Sequence, residues 1–376
     1  GVLPVIVSAI AWPDVSPAGL ANRGNVKAAV TARAIVEPWT ISIAAWALYY
    51  VSPRDGLIIA YVLSMAAALI ASLIPFIRSY GLPHGWSPHV TPLLQLARRN
   101  VPLAGADAIE WGTRNIDRFI LGLLFPPAIV GIYYMAQQVA SIPQKLKTSF
   151  DPVLGPGIAR NLAAGNRAAI AHQVKQVAFW IMTLQAALVL MGGIPAEGVM
   201  GVVGPQFVAG AGALCFLLAA EVLAAPGAIA EAGLVYMARH RNLMVSMLLL
   251  GFQAALSFAL VFIMRDLGWD VNYQAAGPAV ALAITLALGS TIKCWMLARL
   301  TKASVFNLRP GFVAAVAAGA LVGWGFTSLP HHLEWVELSI GIPAIFAVYF
   351  AVIAKWAFGE EDRKLFKKLP KQDAAT

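Results

Sequence analysis

The chain has 376 residues, 59% of them hydrophobic and only 12% charged, with a formal net charge of +9 and a mean hydropathy of +0.73. A soluble domain carries about 25% charged residues, so this chain has more apolar sequence than a water-facing fold of its size buries, and lipid is the expected solvent. Most of its basic residues fall in connections and in the tail, where membrane topology places them. That sets nucleic acid aside as a partner, and Cys215 and Cys294, each inside an apolar run, form neither a disulfide framework nor a metal-ligand set.

Apolar runs follow one another along the chain, each near the roughly 20 residues that cross a bilayer. Their length and the lack of period-two alternation predict an all-α integral membrane protein and exclude barrel strands. In chain order the predicted spans are 1–13 (partial), 30–50, 56–77, 101–124, 128–149, 174–194, 206–237, 242–264, 275–298, 310–329 and 336–358, ten full spans and one partial. The run at 206–237 is long and holds Pro226, which predicts a single kinked helix. Gly319 and Gly323 are spaced for close helix packing. The chain opens on Gly1 without a signal-peptide pattern, and further sequence is expected before it.

The connections alternate in charge. Arg23, Lys27 and Arg33 follow the first span, and Arg54 and Asp55 the second. Arg78, Arg98 and Arg99 come next, then the uncharged Pro126-Pro127 turn, then Lys145, Lys147, Arg160, Arg167 and Lys175. The pattern continues through Glu197, then Arg239 and Arg241, then Arg265, Asp266 and Asp270, then Arg299, Lys302 and Arg309, then Glu334 and Glu337. The tail carries Arg363, Lys364, Lys367, Lys368 and Lys371. Every second connection is basic, which assigns those connections and the C-terminus to the cytoplasm.

The span at 101–124 stands apart because it contains Asp107, Glu110, Arg114, Asp117 and Arg118. With Asp107 at zero, a turn of about 100° per residue puts Glu110 at about 300°, Arg114 at about 340°, Asp117 at about 280° and Arg118 at about 20°. All five share an arc of roughly 100° on an otherwise apolar helix. A charge at mid-bilayer costs from about 3 to more than 10 kcal/mol, so the stripe must face partner charges or a polar cavity. Arg98 and Arg99 mark its cytoplasmic end. At about 1.5 Å per residue, Asp107 then lies about 10 Å deep, and Glu110 and Arg114 bracket the middle of the roughly 30 Å hydrocarbon layer. The i,i+3 and i,i+4 spacings allow a self-neutralising ladder, but three acids and two bases leave one negative charge over.

Around this stripe the chain resembles a known family. The residues that carry the resemblance are Val101-Pro102-Leu103, Asn115-Ile116-Asp117-Arg118-Phe119-Ile120-Leu121-Gly122, Val130-Gly131-Ile132-Tyr133-Tyr134-Met135-Ala136-Gln137-Gln138 and Phe150-Asp151-Pro152-Val153-Leu154-Gly155-Pro156. Their order and spacing are similar to those of the polysaccharide flippases of the MOP (MATE-like) superfamily. The resemblance implies a two-bundle fold of six helices each, with two more at the C-terminus. The span at 101 would be the seventh helix, and about three N-terminal helices would be absent. The implied organisation is 1–100 as the remainder of the first bundle, 101–305 as the second, 306–358 as two additional helices and 359–376 as a basic cytoplasmic tail.

The resemblance implies transport of an undecaprenyl-pyrophosphate-linked oligosaccharide across the bacterial inner membrane, with membrane lipids and a polysaccharide polymerase or glycosyltransferases as further partners, and with no cofactor. Arg114 is the first candidate for the substrate, since a guanidinium fork suits phosphate oxygens. Asp107 and Glu110 are candidates for substrate contact and for proton or cation coupling, because a carboxylate in low dielectric changes charge with its surroundings. Gln137, Gln138 and Glu221 are placed with the substrate, and Asp117, Arg118, Pro226 and Glu231 with the structure or cavity wall. Gln185 and Gln253 are candidates for hydrogen bonds, to sugar hydroxyls or between helices. No P-loop and no catalytic constellation is present, which argues against an ATP-driven pump or an enzyme. The alternatives are a cation-coupled multidrug exporter of the same superfamily and a membrane polysaccharide polymerase or ligase; Arg114 counts against the first, and short outer loops against the second.

Overall fold

The computed structural model describes residues 31, 35–52, 55–81, 90–148, 151–328 and 334–359. The predicted partial span at 1–13, the first basic connection, Arg54 and the tail from residue 360 lie outside these. Among the described residues there is no strand. The chain forms two compact units, 1–97 and 98–376.

In the smaller unit, α1 (Glu37–Tyr49) and α2 (Gly56–Tyr80) pack against each other. The buried residues of α2 are Gly56, Ala60, Ser64, Met65, Ala68 and Ser72, a stripe of mostly small side chains at helical spacing. Ser64 and Ser72 each donate to a carbonyl of the preceding turn, of Tyr61 and Leu69, so neither brings an unpaired hydroxyl into the interface.

The larger unit begins within α3 (Val90–Leu124), at Arg98, and continues with α4 (Pro127–Thr148), α5 (Asp151–Ala163), α6 (Arg167–Gly193) and α7 (Ala196–Val203). A 3₁₀ turn at Pro205–Gly210 leads into α8 (Ala211–Met237), then α9 (Arg239–Asp266), α10 (Val271–Thr301) and α11 (Pro310–Thr327). The last helix, α12 (Ile342–Val352), is flanked by wide turns at Glu337–Gly341 and Ile353–Ala357. Asn166 caps α6 by accepting from Ala169 N–H at 3.0 Å, and Asp270 caps α10 by accepting from Asn272 N–H at 2.9 Å. Pro126 and Pro127 turn α3 back on α4 because proline opens a helix but cannot continue one.

Seven of the described helical segments are long and apolar enough to cross a membrane: Gly56–Tyr80, Arg167–Gly193, Pro205–Met237, Arg239–Asp266, Val271–Thr301, Pro310–Thr327 and Glu337–Ala357. Length and composition thus support seven crossings among the described residues, where ten full spans were expected. Residues 101–124 and 128–148 are helical, but their charged and amide side chains keep α3 and α4 out of this apolar class; α1 is 13 residues long. Two segments read as connections, α5 and α7, are helices, and α3 begins at Val90 rather than Val101.

The distribution of polarity fits a lipid solvent. The buried residues of α9 are Asn242, Gln253, Ser257 and Val261, while Met244, Met247, Leu248, Phe262 and Ile263 are exposed. Exposed apolar surface on that scale is rare in water and marks a surface that meets lipid or a partner. Small residues let α11 come close to its neighbours: Gly311, Phe312, Ala315, Gly319 and Gly323 are its buried residues. A Cβ on Gly323 would meet the Ile194 side chain at 2.6 Å and that of Ile345 at 3.0 Å.

The interior of this unit has two apolar clusters, and α8 and α10 run through both. One contains Ala225, Ile229, Ala230 and Leu234 of α8 with Phe179 of α6, Cys294 and Leu297 of α10, Phe312 of α11 and Tyr349 of α12. The other contains Leu214, Leu217 and Leu218 of α8 with Leu121 of α3, Tyr133 and Ala136 of α4, and Ala279 and Leu282 of α10. Along α8 the change from one to the other comes between Ala220 and Ala225, just before Pro226.

Candidate functional site

The charged stripe of α3 meets α4 at Asp117. A carboxylate in an apolar bundle requires donors, and Asp117, 0% exposed, has them. The Tyr133 hydroxyl donates to its Oδ2 at 2.6 Å and Gln137 Nε2 approaches the same oxygen at 3.4 Å. Arg118 N–H donates to Oδ1 at 2.8 Å. Gln137 Nε2 also donates to the Arg114 carbonyl at 2.9 Å, so α4 holds α3 one turn before Asp117 as well.

Arg118 leans over the Tyr134 ring, 5.2 Å from its centroid, and donates to Asn115 Oδ1. Asn115 in turn donates its amide to the Trp111 carbonyl at 2.7 Å. The Asp117 carboxylate and the Arg118 guanidinium are thus served by different neighbours. Arg114, on the same face, is half-buried. The backbone of Asp107 and Glu110 lies in α3, and their side chains lie outside the described residues. Gln138 is exposed, which places it on a different side of α4 from Gln137.

From the other side α9 reaches α3. Gln253, fully buried, donates to the Thr113 carbonyl at 3.0 Å. Successive carbonyls of α3, of Thr113 and Arg114, are therefore gripped by glutamines of two different helices. Gln185 of α6 does the same to α4, donating to the Pro143 carbonyl at 3.0 Å. Each of Gln137, Gln185 and Gln253 spends its amide N–H on a neighbouring helix, and its buried Oε1 has no hydrogen-bond partner among the described residues.

A second polar group joins the ends of three helices. Lys293 of α10 pairs with Glu231 Oε2 of α8 at 2.8 Å, and Asn242 of α9 donates to Glu231 Oε1 at 2.9 Å. Lys293 was not among the expected site residues; its signal was present, because it is the sole charge between Val271 and Met296. Tyr133 was also unanticipated as a partner, although Asp117 and Tyr133 stand eight residues on either side of Phe125 at the α3–α4 turn. Glu221 is half-buried in α8, and Pro226 is buried. An apolar cavity of about 210 Å³ opens between α4, α6, α7 and α8, lined by Val139, Ile142, Leu188, Met191, Val199 and Leu218 among others.

No protein-family model matches the chain, and no curated protein matches it.

Proposed function

We propose that this chain belongs to a transporter of the polysaccharide-flippase type, which carries a lipid-pyrophosphate-linked oligosaccharide from the cytoplasmic to the periplasmic leaflet of a bacterial inner membrane by alternating access. Arg114 contacts the pyrophosphate. Asp107 and Glu110 serve coupling or substrate contact, and the basic connections and the C-terminus lie in the cytoplasm. What supports this reading is polar chemistry held within an apolar helical protein: on α3, Asp117 is buried and Arg114 is half-buried one turn from it.

The carrying observation is the commitment of Asp117. Its carboxylate is held by Tyr133 and Gln137 of α4, which makes it a fixed part of the helix pair. A diphosphate entering low dielectric requires fixed cations, since an unpaired charge there costs several kcal/mol or more, and a guanidinium offers a forked donor set that matches phosphate oxygens. Three of the four stretches that carry the family resemblance, 101–103, 115–122 and 130–138, lie on this same helix pair.

The test is Arg114→Ala and Arg114→Lys in the full-length protein, with translocation of lipid-linked oligosaccharide measured in proteoliposomes. Alanine is expected to lower the rate by at least tenfold, and lysine, which keeps the charge and loses the fork, to retain an intermediate rate. A wild-type rate for Arg114→Ala at normal protein level overturns the reading.

A further inference from the structure

Pro226 has no N–H, so α8 lacks one ladder bond at its middle. The next pair in a regular helix would be Gly227 N–H with the Leu223 carbonyl. Ser290 of α10 is engaged with both: its hydroxyl accepts from Gly227 N–H at 3.0 Å and donates to the Leu223 carbonyl at 2.5 Å. A side chain inserted between ladder partners is one of the defined causes of a helix kink. The approach depends on Gly227, where a Cβ would stand 2.5 Å from Ser290 Cα and 2.6 Å from its Oγ.

The two sides of this break are held differently. Beyond it, Ile229, Ala230 and Leu234 pack in the cluster with α6, α11 and α12, which Val222 and Ala225 join from just before the break, and Glu231 is clamped to Lys293 of α10. Before it, Leu214, Leu217 and Leu218 pack in the other cluster, with α3 and α4. The first arm, from Ala211, carries Glu221.

We infer that Ser290 is a positioning residue: it props open the α8 ladder at Pro226 and so sets the direction of the arm bearing Glu221, while the Glu231–Lys293 pair keeps the other arm on α10. The consequence for transport rests on the proposed function, but the positioning itself does not. Without the hydroxyl, Gly227 N–H and the Leu223 carbonyl are left to pair directly, which unbends α8 at that point. Residue 216 lies about 15 Å from the break at about 1.5 Å per residue, so each 20° of unbending moves it by about 5 Å.

The experiment compares Ser290→Ala with the parent in the full chain, in lipid nanodiscs, without substrate, using spin labels on a cysteine-free background. One pair replaces Phe216 and Tyr273, exposed residues in the N-terminal turns of α8 and α10, and the other replaces Tyr236 and Trp295, exposed toward their C-terminal ends. Ser290→Ala is expected to shift the 216–273 distance distribution by several Å and leave that of 236–295 unchanged. An unchanged 216–273 distribution overturns the inference, and so does an equal shift in both pairs, which would mean general loosening. Because no substrate is used, these distances read the positioning role whatever the chain carries, and a failed Arg114 test leaves them intact.

Discussion

Asp117 shows how a membrane protein keeps a carboxylate that it does not expose. The tyrosine hydroxyl at 2.6 Å, a backbone N–H at 2.8 Å and a more distant amide replace the water that the group loses on burial. Removing one donor leaves the rest of the desolvation cost in place. Tyr133→Phe is therefore expected to lower stability by about 1–3 kcal/mol, read as a lower unfolding midpoint of the purified protein in detergent. Tyr134→Phe keeps the ring under Arg118 and is expected to stay within about 0.5 kcal/mol of wild type. Equal effects from the two tyrosines would mean that the Asp117 bond contributes nothing particular.

Between elements, polar groups fasten helices whose apolar faces have no preference for each other over lipid. In hydrocarbon, helix association relies on close packing and interhelical hydrogen bonds, and both devices occur here. Glu231, Asn242 and Lys293 tie α8, α9 and α10. The Lys293 side chain is 12% exposed and that of Glu231 36%, so the pair is shielded mainly on the lysine side. A cycle of Lys293→Met, Glu231→Gln and the double variant is expected to give a coupling of about 0.5–3 kcal/mol, measured by unfolding; additive single effects would dismiss the pair as a fastening. Close packing is tested at Gly227. A methyl there meets the backbone of Ser290, and Gly227→Ala is expected to destabilise by about 1–3 kcal/mol through overpacking. Gly212→Ala, where an added Cβ has no neighbour within 4 Å, is expected to be neutral or slightly stabilising, since alanine loses less backbone entropy.

At the scale of the molecule, the charge alternation makes a topology prediction. With basic connections in the cytoplasm, a cysteine at Lys302 reacts with an impermeant thiol reagent from the cytoplasmic face only, and one at Gly268 from the opposite face only. Labelling of both from one side would break the alternation and with it the reading of α9 and α10 as full crossings.

The local pattern carried the helices well. Hydropathy and chain length define where a helix leaves lipid, and Pro310, Pro126 and Asp270 punctuate the chain with chemistry that acts over a few residues. The Gly319–Gly323 spacing was legible for the same reason, since four residues apart is one face of one helix. The number of membrane crossings was less legible. The most heavily charged span, α3, is the one whose charges remove it from the apolar class, so hydropathy alone does not decide whether it crosses.

The sequence by itself determined that the described part of the chain is helical, rich in apolar spans and interrupted by one charged stripe, because each of these follows from residues within a turn or two of one another. Only the tertiary structure decided which polar residues are spent on architecture. Tyr133 takes Asp117 from 16 residues away, Lys293 takes Glu231 from 62, and Ser290 enters the α8 ladder from 63 at Gly227. Such partners are chosen by how helices come together, and a buried polar atom takes whichever partner that packing supplies, because in hydrocarbon there is no water to take instead.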